Sequence, residues 1–192
     1  DSLNLGGTES DITILFSDIR GFTSMSEKLS PTEIVKLLNK YFKSMIDVVF
    51  KYNGTLDKIV GDELMVLYGV PLKSEDDTDN AVKTAIKMFQ SLDKFNEVII
   101  KEGYKPFKIG IGINKGKAVS GNIGSEQQMN YTVIGDTINL GARLCSHAKS
   151  GEILISNSVK GVISDDYAFK KIPSIEVKGK SKPIEVWLYK HK

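Results

Sequence analysis

A single cysteine, Cys145, stands in the 192-residue chain, so no internal disulfide framework holds it together. Its setting, Leu140-Gly141-Ala142-Arg143-Leu144-Cys145, is helix-like and reads as a buried, inert thiol. Long apolar runs are also lacking: none nears the roughly 20 residues of a membrane helix. No signal peptide opens the chain. We therefore expect no membrane contact by this segment and a cytoplasmic location for it. An excess of either charge is missing too, with 26 Lys and Arg against 24 Asp and Glu. No basic stripe marks a nucleic-acid partner. Repeats and low-complexity tracts are absent. The chain starts at Asp1 rather than Met, so it reads as a piece of a longer protein with a regulatory domain upstream, which could anchor the whole to a membrane.

What is present is ordinary for one folded domain: 41% hydrophobic and 26% charged residues. Residues 1–10 are polar and glycine-containing, which predicts a flexible lead-in, with one domain over 11–192. Ile12-Thr13-Ile14-Leu15-Phe16 predicts a buried strand. Ser30-Pro31-Thr32-Glu33 is a helix start with a cap, a first-turn proline and a capping box. Apolar residues then recur at helical spacing until Asn53-Gly54. Two β-rich runs, 55–60 and 64–68, flank Gly61-Asp62 and predict a tight hairpin. A second long helix is expected from about Asn80 to Glu102. Strands are expected at 107–113, 117–119 and 131–134, then a helix over 136–148. Short strands near Ile153, Phe169, Ile175 and over 184–189 close the chain. The order implies an α+β sandwich, helices packed on a mostly antiparallel sheet.

Asp18 follows an apolar strand, and Asp62 sits at a hairpin tip. If those strands are neighbours, both carboxylates reach one spot at the sheet edge. Two carboxylates and a backbone carbonyl suit a hard divalent cation. Aspartate beside glycine is also common in turns for local backbone reasons. The residues alone leave both readings open.

Four strings go further. They are Phe16-Ser17-Asp18-Ile19-Arg20-Gly21-Phe22-Thr23, Lys58-Ile59-Val60-Gly61-Asp62-Glu63-Leu64-Met65, Tyr131 to Arg143 with Asn139 inside it, and Val177-Lys178-Gly179-Lys180. In this order they resemble the signatures of the class III adenylyl and guanylyl cyclases. The resemblance implies a ferredoxin-like, palm-type split βαβ fold and a head-to-tail homodimer with active sites at the interface. It implies that Asp18 and Asp62, helped by the Ile19 carbonyl, bind two Mg²⁺ or Mn²⁺ ions. It implies that the second copy supplies Lys58, Thr132, Asn139, Arg143 and Lys178. Asn139 and Arg143, four apart, share a helix face. Without the resemblance, these side chains are ordinary solvated ones.

The base pocket of this resemblance points to ATP. Lys58 would donate to the adenine ring nitrogen, and Thr132 would accept from the amino group. Similar guanylyl cyclases place Glu and a small Cys or Ser there. The alternatives are a guanylyl cyclase, an inactive dimerisation module on the same fold, a diguanylate cyclase relative and a palm enzyme acting on nucleic acid. The intact set Asp18, Asp62, Asn139 and Arg143 counts against the inactive module. The missing Gly-Gly before Asp62 counts against the diguanylate type, and the missing basic groove against the last. Asp136 reads as a helix N-cap.

Overall fold

Alternation along the first long strand decides which layer covers which face of the sheet. In β1 (Gly6–Ile19), Leu15 and Ile19 pack under two long helices, while Ile12, Ile14 and Phe16 face a third helix on the other side. The computed structural model describes the backbone of residues 6–125, 128–177 and 179–191. After β1 come α1 (Phe22–Ser26), α2 (Pro31–Lys51), β2 (Thr55–Val60), β3 (Glu63–Tyr68) and α3 (Asp77–Lys101). Then follow β4 (Ile109–Ser125), β5 (Gln128–Ile134), α4 (Asp136–His147), β6 (Glu152–Ser156), α5 (Asn157–Lys160), β7 (Lys170–Ile175) and β8 (Ile184–Lys190).

The eight-stranded sheet runs β2-β3-β1-β4-β6-β8-β7, with β5 hydrogen-bonded to β4 off that path. The pairings are antiparallel except β4 with β6. Within it, β1-α2-β2-β3-α3-β4 makes the order β2-β3-β1-β4, the expected split βαβ arrangement. Helices α2 and α3 cover one face, where Tyr41, Met45, Met88 and Ile99 are fully buried. Each such side chain contributes about 1.5–3 kcal/mol of apolar burial. The capping box at α2 forms: the Ser30 hydroxyl accepts from the Glu33 N–H at 3.3 Å, and the Glu33 carboxylate accepts from the Ser30 N–H at 2.9 Å. The helix stops where Asn53 takes a left-handed φ of 58°.

Helix α4 lies on the opposite face, seated very close to β4. An added Cβ at Gly112 would stand 2.1 Å from the Cys145 backbone nitrogen and 2.7 Å from the Gly141 oxygen. Only glycine allows that approach. Cys145 is buried there, as the sequence implies.

Several expectations change. Residues 6–10 are not a loose lead-in: they pair with Asn122 to Ala118 of β4. Their polar side chains hid a strand whose driving force is the backbone ladder, with Glu9 also paired to Lys117 at 2.8 Å. Residues 1–5 of that lead-in lie outside the described residues. The strands expected at 107–113 and 117–119 are one strand, because Gly116 pairs in register with Ile12 instead of breaking it. Phe169 and Ile175 lie beside and at the end of the single β7. Helix α3 starts three residues early, with Asp77 and Asp79 in its first turn, where carboxylates favour the helix dipole. Gly135, not Asp136, occupies the N-cap of α4.

Candidate active site

Strand β1 ends at the tip of the β2–β3 hairpin because β1 and β3 pair from Thr13↔Tyr68 to Ser17↔Leu64. That register brings Asp18 to the Gly61-Asp62 turn, where Gly61 adopts φ 61°. Asp62 accepts a hydrogen bond from the Ile19 N–H at 3.0 Å. Burial pushes the Asp62 carboxyl up to about 7, and the hydrogen bond and charge of the adjoining Asp18 push the same way. Arg20 lies 3.5 Å from Asp18 and also donates to the Cys145 carbonyl of α4. Glu63 is raised by its own burial and by the Asp18 charge.

Arg20 offsets Asp18, but Asp62, driven toward its protonated form beside it, is left short of positive charge. A hard divalent cation meets that need, so the residues present fit one. Asp18, Asp62 and the Ile19 carbonyl would hold it. Among the described residues no group of three or more His, Cys, Asp or Glu side chains gathers. Such a sparse protein donor set suits Mg²⁺, which keeps waters and takes phosphate oxygens.

A second cluster forms at β5, where Val133 packs in one core with Met65 and Leu67 of β3. There the Lys58 ammonium donates to the Thr132 hydroxyl at 3.3 Å. Asp57 completes the group: Thr132 donates to its carboxylate at 3.4 Å, and Lys58 lies 3.3 Å from it.

A third cluster forms at α4. Asn139 is exposed and Arg143 half-buried, one turn apart on the same helix face. The turn at Gly179 runs against Arg143, since a Cβ there would lie 3.6 Å from its guanidinium. Lys180 pairs with Asp136, so the Asp136 carboxylate faces that turn instead of capping its helix. Lys178 lies outside the described residues.

The chain thus joins Asp18 to Asp62, Lys58 to Thr132, and Arg143 to the turn at Gly179. No hydrogen bond or ion pair among the described residues links the first pair to Lys58, Thr132, Asn139 or Arg143. A groove of about 620 Å³ lies elsewhere, between α2 and α3, lined by Lys40, Lys87 and Phe95 among others. It holds none of these side chains.

Sequence reasoning missed Arg20 and Asp57. Arg20 stood inside the first motif, and its charge two residues from Asp18 was a usable signal. Asp57 had none. Strand alternation sends neighbouring side chains to opposite faces, and only a bulge between Leu56 and Lys58 brings Asp57 to Lys58's side.

The fold and these clusters define a catalytic domain for nucleotide chemistry. Residues 7–190 match the family model described as the adenylate and guanylate cyclase catalytic domain, and the chain belongs to that family. It is 38% identical over 185 residues to an adenylate cyclase of Anabaena cylindrica, covering 92% of this chain and 36% of that protein. The solved guanylyl cyclase Cya2 superposes with a TM-score of 0.92 at 40% identity, covering 95% of this chain and 93% of that one. The adenylyl cyclase CyaB from P. aeruginosa also gives 0.92, at 38% identity, covering 96% and 95%. The chain therefore spans about a third of the length of that Anabaena relative. The family is generally metal-dependent, acts on nucleotides and functions as dimers.

Proposed function

We propose that the chain is an adenylate cyclase domain that converts ATP to 3′,5′-cyclic AMP and pyrophosphate at sites shared by two copies. Overall likeness does not choose the base, since a guanylyl and an adenylyl cyclase match almost equally. The observation that carries the reading is the Lys58–Thr132 contact at 3.3 Å. It sets a donor beside an acceptor, the complement of adenine's ring nitrogen and amino group. Guanine would set a donor against the ammonium, and an unpaired polar edge is costly.

Each residue has a physical task. Asp18, Asp62 and the Ile19 carbonyl hold two Mg²⁺ or Mn²⁺ ions. Those ions, when bound, make the ribose 3′-hydroxyl more acidic and offset charge on the leaving pyrophosphate. Arg143 presents a fixed planar cation to the α-phosphoryl oxygens. Asn139 orients the ribose without adding charge. Lys178 supplies a point charge to the terminal phosphates.

Two observations support a homodimer. The carboxylate pair makes no bond to the base-reading pair within the chain. Exposed apolar side chains also flank that pair: Ile59 and Val60 beside Lys58, Tyr131 and Ile134 near Thr132. Such patches mark interaction surfaces. The remaining length of the curated relatives leaves room for an upstream regulatory domain. We place this catalytic segment in the cytoplasm; no helix among the described residues is long and apolar enough to cross a membrane.

The test is to incubate the chain with ATP or GTP and each metal, then identify the product. Cyclic AMP from ATP supports the reading. Cyclic GMP from GTP alone replaces it with the guanylyl reading, and no product with either nucleotide refutes it.

A further inference from the structure

The bulge in β2 leaves Asp57 without a partner in β3, since Leu56 pairs with Val66 and Lys58 with Met65. The Asp57 side chain is only 4% exposed, against 47% for Lys58. A carboxylate so covered needs partners. It has two, both in the cluster that reads the base: the Lys58 ammonium at 3.3 Å and the Thr132 hydroxyl at 3.4 Å from each carboxylate oxygen.

The consequence lies in the hydroxyl. A threonine hydroxyl has one hydrogen and two lone pairs, and it rotates to suit its neighbour. Left free, Thr132 would accept from adenine's amino group or donate to guanine's carbonyl with equal ease. Such a residue discriminates poorly between the two purines. An ionised carboxylate only accepts. Facing Asp57, Thr132 spends its hydrogen there. Lys58 donates to one of its lone pairs. What remains toward a base is one lone pair, an acceptor. The ammonium, with two of its three hydrogens directed to Asp57 and Thr132, keeps one for a ring nitrogen. The cluster then shows one donor and one acceptor.

We infer that Asp57 is a specificity-determining positioning residue: it holds Thr132 as a hydrogen-bond acceptor and Lys58 as a directed donor, so that a 6-amino purine is accepted and a 6-oxo purine refused. The inference rests on the reading of Lys58 and Thr132 as the base contacts. It adds a residue that touches no substrate and acts through the hydroxyl it orients.

The test is Asp57→Asn, nearly the same shape but able to donate to Thr132 as well as accept. Steady-state kinetics are run with ATP, GTP and purine riboside triphosphate, which keeps the ring nitrogen and lacks the amino group. The wild type should prefer ATP to the amino-less analogue by about 10-fold, the worth of one good hydrogen bond. Asp57→Asn should reduce that preference to roughly 2-fold or less and raise GTP use relative to ATP. In a Thr132→Val background, which has no hydroxyl to orient, Asp57→Asn should change the preference no further. A merely structural role would lower all three substrates together. If Asp57→Asn fails to fold, Asp57→Ala, which frees the Thr132 hydroxyl to rotate, should lose the same preference; an unchanged preference overturns the inference. An Asp57→Asn enzyme with wild-type selectivity overturns the role of Asp57 and leaves the adenylate cyclase reading intact. A wild-type chain that does not distinguish ATP from GTP overturns both.

Discussion

Replacing Asp62 by asparagine should stabilise the metal-free domain at alkaline pH while abolishing its chemistry. In the fold, the Asp62 carboxyl is pushed from 3.8 up to about 7 by burial and by Asp18. The folded chain therefore holds this proton more tightly than the unfolded chain does. Stability falls as pH rises between about 4 and 7, and the whole penalty is present above 7. A shift of that size corresponds to a ceiling of about 4 kcal/mol. Asp62 is partly exposed, and solvent screening brings the figure to about 1–2 kcal/mol. Asparagine keeps an acceptor for the Ile19 N–H and carries no charge, so it removes the penalty. Thermal unfolding in chelator at pH 8 should then show a midpoint roughly 2–8 °C higher for the variant than for the wild type. At pH 5 the gap should shrink. Adding Mn²⁺ at about 100 times its dissociation constant should stabilise the wild type by about 2.7 kcal/mol and the variant far less. A variant less stable than wild type at pH 8 without metal, or one that gains equally from Mn²⁺, would refute the reasoning.

Two further outcomes follow from packing and capping. Gly112→Ala would force a Cβ to 2.1 Å from the Cys145 nitrogen, so α4 must lift; denaturant unfolding should show a loss of about 1–3 kcal/mol or more, and turnover should fall because Asn139 and Arg143 ride on that helix. Ser30→Ala breaks the capping box of α2 and should cost about 1 kcal/mol in the same assay, with turnover per folded molecule unchanged.

The parts of the fold legible beforehand were those where local chemistry and tertiary packing agree. The capping box at Ser30, the helical spacing to Val49 and the hairpin at Gly61-Asp62 each carry their own signal, and each stands where expected. The strand at 6–10 was hidden because its residues are polar or glycine, and the β4 backbone completes it. Gly116 suggested a break between two strands, yet it lies within one; at Gly112 the missing side chain is room for α4. Helices α1 and α5 have five and four residues, too short for periodicity to show. For the site, the motifs named Asp18, Asp62, Lys58, Thr132, Asn139 and Arg143, and the structure groups the carboxylates together and Lys58 with Thr132. Asp57 was illegible because a bulge, which no alternation pattern predicts, sets its direction.

The central claim is that two copies build each site, one giving the carboxylates and the other the α4 cation. Mixing Asp62→Ala chains with Arg143→Ala chains, each inactive alone, tests it most directly. Random pairing makes half the dimers mixed, each with one intact site of two, so the mixture should recover roughly a quarter of wild-type turnover. No recovery in a mixture shown to contain the mixed dimer, or full activity in either variant alone, would contradict the account.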